Sequence, residues 1–188
     1  MTTLVTGFEP FGGSKVNSSE LVVTALDYLG EPGVITEVLP TSYRRAEARI
    51  GDLLRTHRPD TVLMLGLAES TPKVRFEQVA LNLDNCDAPD NDGEVRMRGR
   101  IVEGAPVGYW SSLQLDRMAN ASRDMGERVL FSHDAGGFVC NHVFFTAAHL
   151  VATVYPATRC GFVHFPLVLA SDKRLSRFVE MVRKWVGG

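Results

Sequence analysis

The run Thr61-Val62-Leu63-Met64-Leu65-Gly66 constrains the fold more than any other stretch of the chain. It carries no charge, opens on two β-branched residues and is too short for a buried helix. That combination predicts a central strand covered on both faces. The sequence upstream supplies its neighbours. Leu4-Val5-Thr6, ended by Gly7, and Val34 to Leu39, stopped by Pro40, read as two further strands. Between them Leu21, Val22, Ala25, Leu26 and Leu29 recur at helical spacing, with Asn17 as N-cap and Glu20 completing a capping box. A second amphipathic helix runs from Ser42 to His57, with Tyr43, Ala46, Ile50, Leu53 and Leu54 on one face. Its arginines are interspersed with acids and form a solvated face. Strand, helix, strand, helix, strand predicts an α/β fold: a single-domain twisted sheet, mostly parallel or mixed, with helices on both faces.

The second half is less regular. From Lys73 to Leu83 the alternation of Val74, Phe76, Val79 and Leu81 predicts one strand, and Glu77 falls on its polar phase with Lys73 and Arg75. Periodicity alone therefore points Glu77 at solvent. Asp84 to Gly93 reads as a turn, because its acids lack the spacing and terminal glutamate of a calcium loop. Arg96 to Trp110 reads as an extended loop or a hairpin around Glu103-Gly104, and Ser111 to Met125 as a helix. Val129 to Ser132 and Arg159 to Pro166 are strands, and Ser171 or Asp172 caps a terminal helix. With 188 residues, no repeats and no linker, residues 1–188 make one domain.

Composition excludes whole classes of function. A net charge of -2 gives no bias toward nucleic acid or an anionic membrane, and no apolar run approaches the ~18 residues of a membrane span. The three cysteines, Cys86, Cys140 and Cys160, are odd in number and widely spaced, which predicts reduced thiols rather than disulfides or a zinc site. The N-terminus enters a strand without a basic or long apolar segment, so the expected location is cytoplasmic. The glycines between Gly7 and Gly13 do not match a nucleotide-binding spacing.

Chemistry concentrates at Ala135-Gly136-Gly137-Phe138-Val139-Cys140-Asn141-His142. Two glycines break the chain, and Cys140 follows in the first turn of a predicted helix. Unpaired N–H groups there favour a thiolate and suit an oxyanion. The alternative is a cysteine buried for packing. His142, two residues on, points to another face of the helix, and His149 lies more than two turns downstream. His133 remains possible. His164, at the end of an apolar strand before Phe165-Pro166, completes with Cys140 and Glu77 a nucleophile, base and orienting acid. The loop after the first strand carries Phe8 and Phe11, which either plug the core or line a pocket.

Several segments resemble the pyroglutamyl peptidase I (pyrrolidone carboxyl peptidase) family of cysteine peptidases. They are Leu4 to Gly13 with Asn17, Glu77-Gln78-Val79-Ala80-Leu81-Asn82, Pro89-Asp90-Asn91 before Gly93, Gly137 to His142, and Gly161-Phe162-Val163-His164. The resemblance implies a catalytic set of Glu77, Cys140 and His164, removal of N-terminal pyroglutamate from peptides, no metal or cofactor, and a cytosolic homotetramer. It also reverses the solvent-facing expectation for Glu77. A flat, uncharged lactam ring suits an apolar slot, in which Phe8 and Phe11 would sandwich it, Phe138 and Val139 would close it, and Asn17 would recognise the lactam. The chain departs from the family pattern at Leu67-Ala68-Glu69-Ser70-Thr71, where the family usually runs glutamine, alanine, two glycines and arginine. It departs again at Asp87 and Ala88, where arginine and a bulky aliphatic are usual; Leu67 thereby joins the expected substrate-binding residues. Two other readings are a cysteine amidase acting on a different small cyclic or acyl group, and a non-catalytic small-molecule binding protein on the same scaffold.

Overall fold

The uncharged run forms the middle of a six-stranded sheet. In the computed structural model, which describes residues 1–187, β3 (Thr61–Leu67) pairs in parallel with β1 (Thr3–Phe8) on one side and β10 (Arg159–Phe165) on the other. β2 (Val34–Leu39) lies parallel outside β1. Beyond β10 the direction reverses: β4 (Val74–Glu77) runs antiparallel to β10, and β9 (Val129–Ser132) pairs parallel with β4 at the edge. The order is β2-β1-β3-β10-β4-β9, a mixed and mostly parallel sheet as expected.

Strand alternation divides the core in two. Val5, Leu63, Leu65, Phe76, Val163 and Phe165 point to one face, covered by α1 (Ser18–Leu29), α3 (Leu115–Asp124) and α5 (Lys173–Val186). Leu4, Val62, Met64 and Phe162 point to the other, covered by α2 (Tyr43–His57) and α4 (Val139–Thr153). Two helix starts follow the expected caps: Asn17 accepts from Ser19 N–H, and Asp172, rather than Ser171, from Arg174 N–H; Ser42, expected as the first residue of α2, instead caps it by accepting from Arg45 N–H.

Four elements differ from the sequence reading. β1 continues through Gly7 because a side chain there would meet the Ser19 carbonyl at 2.6 Å, so the glycine permits helix packing instead of ending the strand. The single strand expected from Lys73 to Leu83 breaks at Gln78. β4 stays in the main sheet, and β5 (Val79–Leu81) leaves it to pair antiparallel with β8 (Gly108–Trp110). The predicted turn contains β6 (Asp84–Cys86), paired antiparallel with β7 (Arg96–Gly99), so no hairpin forms around Gly104. Finally, α3 starts at Leu115 instead of Ser111, because Ser112 is held by β10: its N–H donates to the Cys160 carbonyl at 2.9 Å, and its hydroxyl accepts from Cys160 N–H at 2.8 Å.

Candidate active site

Glu77 has the phase the alternation gave it, sharing a face of β4 with Arg75 and opposite Phe76. That face is covered by protein, not by water, and Glu77 is 0% exposed. Burial of a carboxylate requires partners, and the neighbouring strand supplies one. Across the antiparallel register His164 stands opposite Arg75 and diagonal to Glu77. Its Nδ1 lies 2.8 Å from Glu77 Oε1. A carboxylate only accepts, so Nδ1 carries the proton and Nε2 is left as the free acceptor. Space for the imidazole comes from Gly66, directly opposite His164 in β3: a side chain there would meet His164 Cδ2 at 2.8 Å and Phe162 Cε1 at 2.7 Å.

The same face is covered by α4, which begins at the carboxyl edge of the parallel strands. Its N-cap residue Phe138 packs on Phe11, from the loop after β1, at 5.5 Å and on Tyr43, at the start of α2, at 5.6 Å. Cys140 is the second residue of α4 and remains partly exposed, so an incoming group can reach it. The intrahelical ladder starts with His142 N–H donating to the Phe138 carbonyl at 3.2 Å, leaving the earlier N–H groups of Val139, Cys140 and Asn141 outside it.

The surroundings of the thiol oppose what its helix position favours. Burial pushes its pKa up to about 12, the Glu77 charge adds to the rise, and only the N–H of Cys140 itself opposes them. Helix-start stabilisation is a surface-scale effect, and desolvation next to an anion exceeds it. Asp87, which stands where the family usually has arginine, is exposed, and the carboxylate acting on the thiol is that of Glu77.

Two stretches hold the first turn of α4. Asn141 clamps the chain between β5 and β6, donating to the Leu81 and Leu83 carbonyls at 2.9 and 2.8 Å and accepting from Leu81 N–H at 3.0 Å. Asn85 N–H donates to the Gly137 carbonyl at 2.9 Å, and any side chain at Gly137 would collide with the Asn85 carbonyl oxygen. The Pro89-Asp90-Asn91 segment has an equally definite task. Asp90 accepts from the N–H groups of Tyr43, Asp92 and Glu94, while Asn91 donates to Glu9 and to the Pro10 carbonyl. It thereby fixes the start of α2 and the loop that carries Phe11.

The expected substrate-binding residues separate into two groups. Phe11 and Phe138 are partly exposed and face each other, and Leu67, 8% exposed, ends β3 beside the His164 strand. Phe8, Asn17 and Val139 are almost fully buried. Phe8 packs on Phe162 at 6.3 Å, so the expected Phe8–Phe11 sandwich is replaced by a Phe11–Phe138 pair backed by Phe8. Val139 lies in the core. Asn17 spends its amide on the Glu9 carbonyl at 3.2 Å and on the cap of α1, so it orders the aromatic loop from within.

Sequence reasoning missed a second buried set on α4. His142 is 0% exposed; its Nδ1 lies 3.0 Å from Asp84 and its Nε2 3.2 Å from Glu47. Arg96 reaches Asp84 at 3.2 Å and stacks over Tyr43 at 4.7 Å. The only signal was Asp84 in a segment too polar to look like a strand. The other histidines take no part: His149 Nδ1 is 2.9 Å from the Tyr109 hydroxyl, and His133 is exposed. Among the described residues no group of three or more histidine, cysteine or acidic side chains could hold a metal ion, and no helix is long and apolar enough to cross a membrane.

Known proteins resemble this chain in sequence and in fold. A family model described as pyroglutamyl peptidase matches residues 1–174. The pyrrolidone-carboxylate peptidase of Thermococcus onnurineus is 35% identical over 188 residues, covering 98% of this chain and 94% of its own length. That of Streptomyces coelicolor is 37% identical over 167 residues, covering 87% and 76%. The crystal structure of Bacillus amyloliquefaciens pyroglutamyl peptidase I superposes with a TM-score of 0.90 at 30% identity, over 97% of this chain and 93% of that one.

Proposed function

The chain belongs to the pyroglutamyl peptidase family, and from that premise we propose that Cys140, His164 and Glu77 carry out the removal of N-terminal pyroglutamate from peptides. The chain is a cysteine-type exopeptidase. The observation that carries the residue assignment is the 2.8 Å contact between His164 Nδ1 and buried Glu77, on the sheet face covered by the helix that starts at Cys140.

With Nδ1–H held by Glu77, His164 Nε2 takes the Cys140 proton. Burial and the Glu77 charge hold the Cys140 pKa up, so the thiolate is supported by the imidazolium formed as the proton moves. The sulfur adds to the pyroglutamyl carbonyl carbon, and the carbonyl electron pair moves to oxygen. First-turn N–H groups of α4 receive that oxyanion. Collapse breaks the C–N bond, the imidazolium proton leaves with the peptide amine, and a thioester remains. Water, losing a proton to His164, adds to the thioester, and Cys140 departs as the leaving group with free pyroglutamate released. No step calls for a metal or cofactor.

Specificity for an uncharged lactam ring is consistent with the partly exposed, apolar Phe11–Phe138 pair near the start of α4. Asn17 acts through the Glu9 loop. The cytosol is the proposed location, and the proposed assembly is a homotetramer. Val107 and Trp110, 78% and 70% exposed, support a subunit contact, whereas Tyr109 is turned inward against Phe145.

Incubation with a pyroglutamyl-arylamide beside a Cys140→Ala control tests the reaction: release by the wild type alone is expected, and no release above the control would overturn it. Should Cys140 alkylate rapidly without such release, a related amidase acting on another small acyl group becomes the better reading. A monomeric mass in dilute solution would remove the tetramer.

A further inference from the structure

Arg75 is a charged residue on the same strand face as Glu77, and the reaction as written gives it nothing to do. Its Nε lies 3.1 Å from Glu77 Oε1, the oxygen that also receives His164 Nδ1–H. The contact is a close ion pair without hydrogen-bond alignment at Nε, and only 20% of the Arg75 side chain is exposed. The other end of the guanidinium reaches the edge strand β9 and the loop that follows it. Nη2 donates to Ser132 Oγ at 2.9 Å and to the Asp134 carbonyl at 2.5 Å. Ser132 Oγ in turn accepts from Asp134 N–H at 3.2 Å, and Asp134 Oδ1 accepts from Gly136 N–H at 2.8 Å. These bonds shape the loop that delivers the chain to Cys140.

We propose that Arg75 is a positioning residue for the reaction, offsetting the charge of buried Glu77 and tying the Glu77–His164 pair to the loop that enters the Cys140 helix. The inference rests on Cys140 and His164 being the reacting pair. Glu77 has two opposing effects: it fixes the imidazole, and its charge makes the Cys140 thiolate harder to form. A cation held against the same oxygen preserves the first effect and weakens the second. The charge acting on Cys140 is that of Glu77 on β4, and Arg75 on β4 and His164 on β10 both meet Glu77 Oε1. Glu47 and Asp84, packed against α4 from α2 and β6, are engaged with His142. Removing a fixed cation from this set raises the proton affinity of every group in its field.

The test follows the rate of Cys140 alkylation by iodoacetamide at neutral pH, read on the Cys140 peptide by mass spectrometry, with kcat/KM for a pyroglutamyl-arylamide in parallel. Arg75→Gln is expected to slow alkylation about tenfold and to lower kcat/KM about tenfold. Arg75→Lys, which keeps the charge but not the fork, is expected to keep the wild-type alkylation rate with a reduced kcat. An unchanged alkylation rate in folded Arg75→Gln, or an equal slowing in Arg75→Lys, would overturn the proposal in favour of a packing role. Should Arg75→Gln fail to fold, the double variant Arg75→Gln/Glu77→Gln, which removes both charges, is compared with Glu77→Gln. Slower alkylation in the double variant supports the proposal and equal rates overturn it. Alkylation needs no turnover, so failure of the peptidase reading and failure of the Arg75 role give different results.

Discussion

Two buried histidines flank the start of α4, and each has a carboxylate on Nδ1. His164 meets Glu77 at 2.8 Å and His142 meets Asp84 at 3.0 Å. Burial is nearly the same, 4% against 0%. The difference lies at the far nitrogen. His142 Nε2 is engaged by Glu47 at 3.2 Å, which fixes the ring as a doubly clamped cation, whereas His164 Nε2 has no such carboxylate and is available to a thiol. A histidine–carboxylate pair is therefore not by itself a catalytic signature. What separates acid–base chemistry from architecture here is the unspent nitrogen. The largest test of that contrast is His164→Ala against His142→Gln. The first is expected to lower kcat/KM by about 10⁴-fold or more, far beyond what its loss of stability, from a cavity and a less-paired Glu77, accounts for. The second is expected to cost about 3 kcal/mol of stability by leaving Asp84 and Glu47 facing each other across a neutral side chain, with kcat preserved in the molecules that stay folded. Urea unfolding and arylamide kinetics on both variants measure this. A His142→Gln protein that is stable but inactive would erase the distinction.

A smaller effect probes how His164 is seated. Gly66 provides room for both His164 and Phe162, so Gly66→Ala must displace one of them. A stability loss of about 1–3 kcal/mol is expected. Because the imidazole is lodged between β3 and the helix face, kcat/KM should fall beyond what that loss explains. Normal activity in a destabilised Gly66→Ala protein would mean that Phe162 yields and His164 does not.

The sequence made the succession of strands and helices, the helix faces and the first cap legible because each depends on local spacing: the run from Thr61 to Gly66 as the central strand, Asn17 as a cap, Cys140 in a first helical turn. The catalytic candidates were partly legible, since Cys140 and His164 each sit at the end of a periodic element. Glu77 was not, because periodicity tells which face of a strand a residue occupies and is silent on whether that face is covered. β6 was hidden for the same reason: Asp84 is polar, but its partners His142 and Arg96 lie 58 and 12 residues away. Phe8 and Val139 were assigned to a pocket by their neighbourhood in sequence, and burial moved them into the core. Long-range pairing and cover are the properties that alternation cannot encode.

The smallest prediction uses pH to separate the two histidines without mutating the reacting pair. Burial alone would hold the His142 pKa down, but hydrogen bonds to Asp84 and Glu47 outweigh it and raise the pKa above 6.5. The hydrogen bond from His142 in turn lowers Glu47 below 4.5. A raised histidine contributes stability that is complete below its unfolded value of 6.5 and lost as pH rises through the folded one. A lowered carboxylate contributes stability that is complete above 4.5 and lost as pH falls through its folded value. The clamp is thus complete between 4.5 and 6.5 and weakens on both sides. The Tm gap between wild type and His142→Gln should be widest in that interval and should narrow by a few degrees toward alkaline pH, a change of about 1 kcal/mol. A gap that stays constant across the range would mean that His142 is held neutral, and the doubly clamped cation would have to be abandoned.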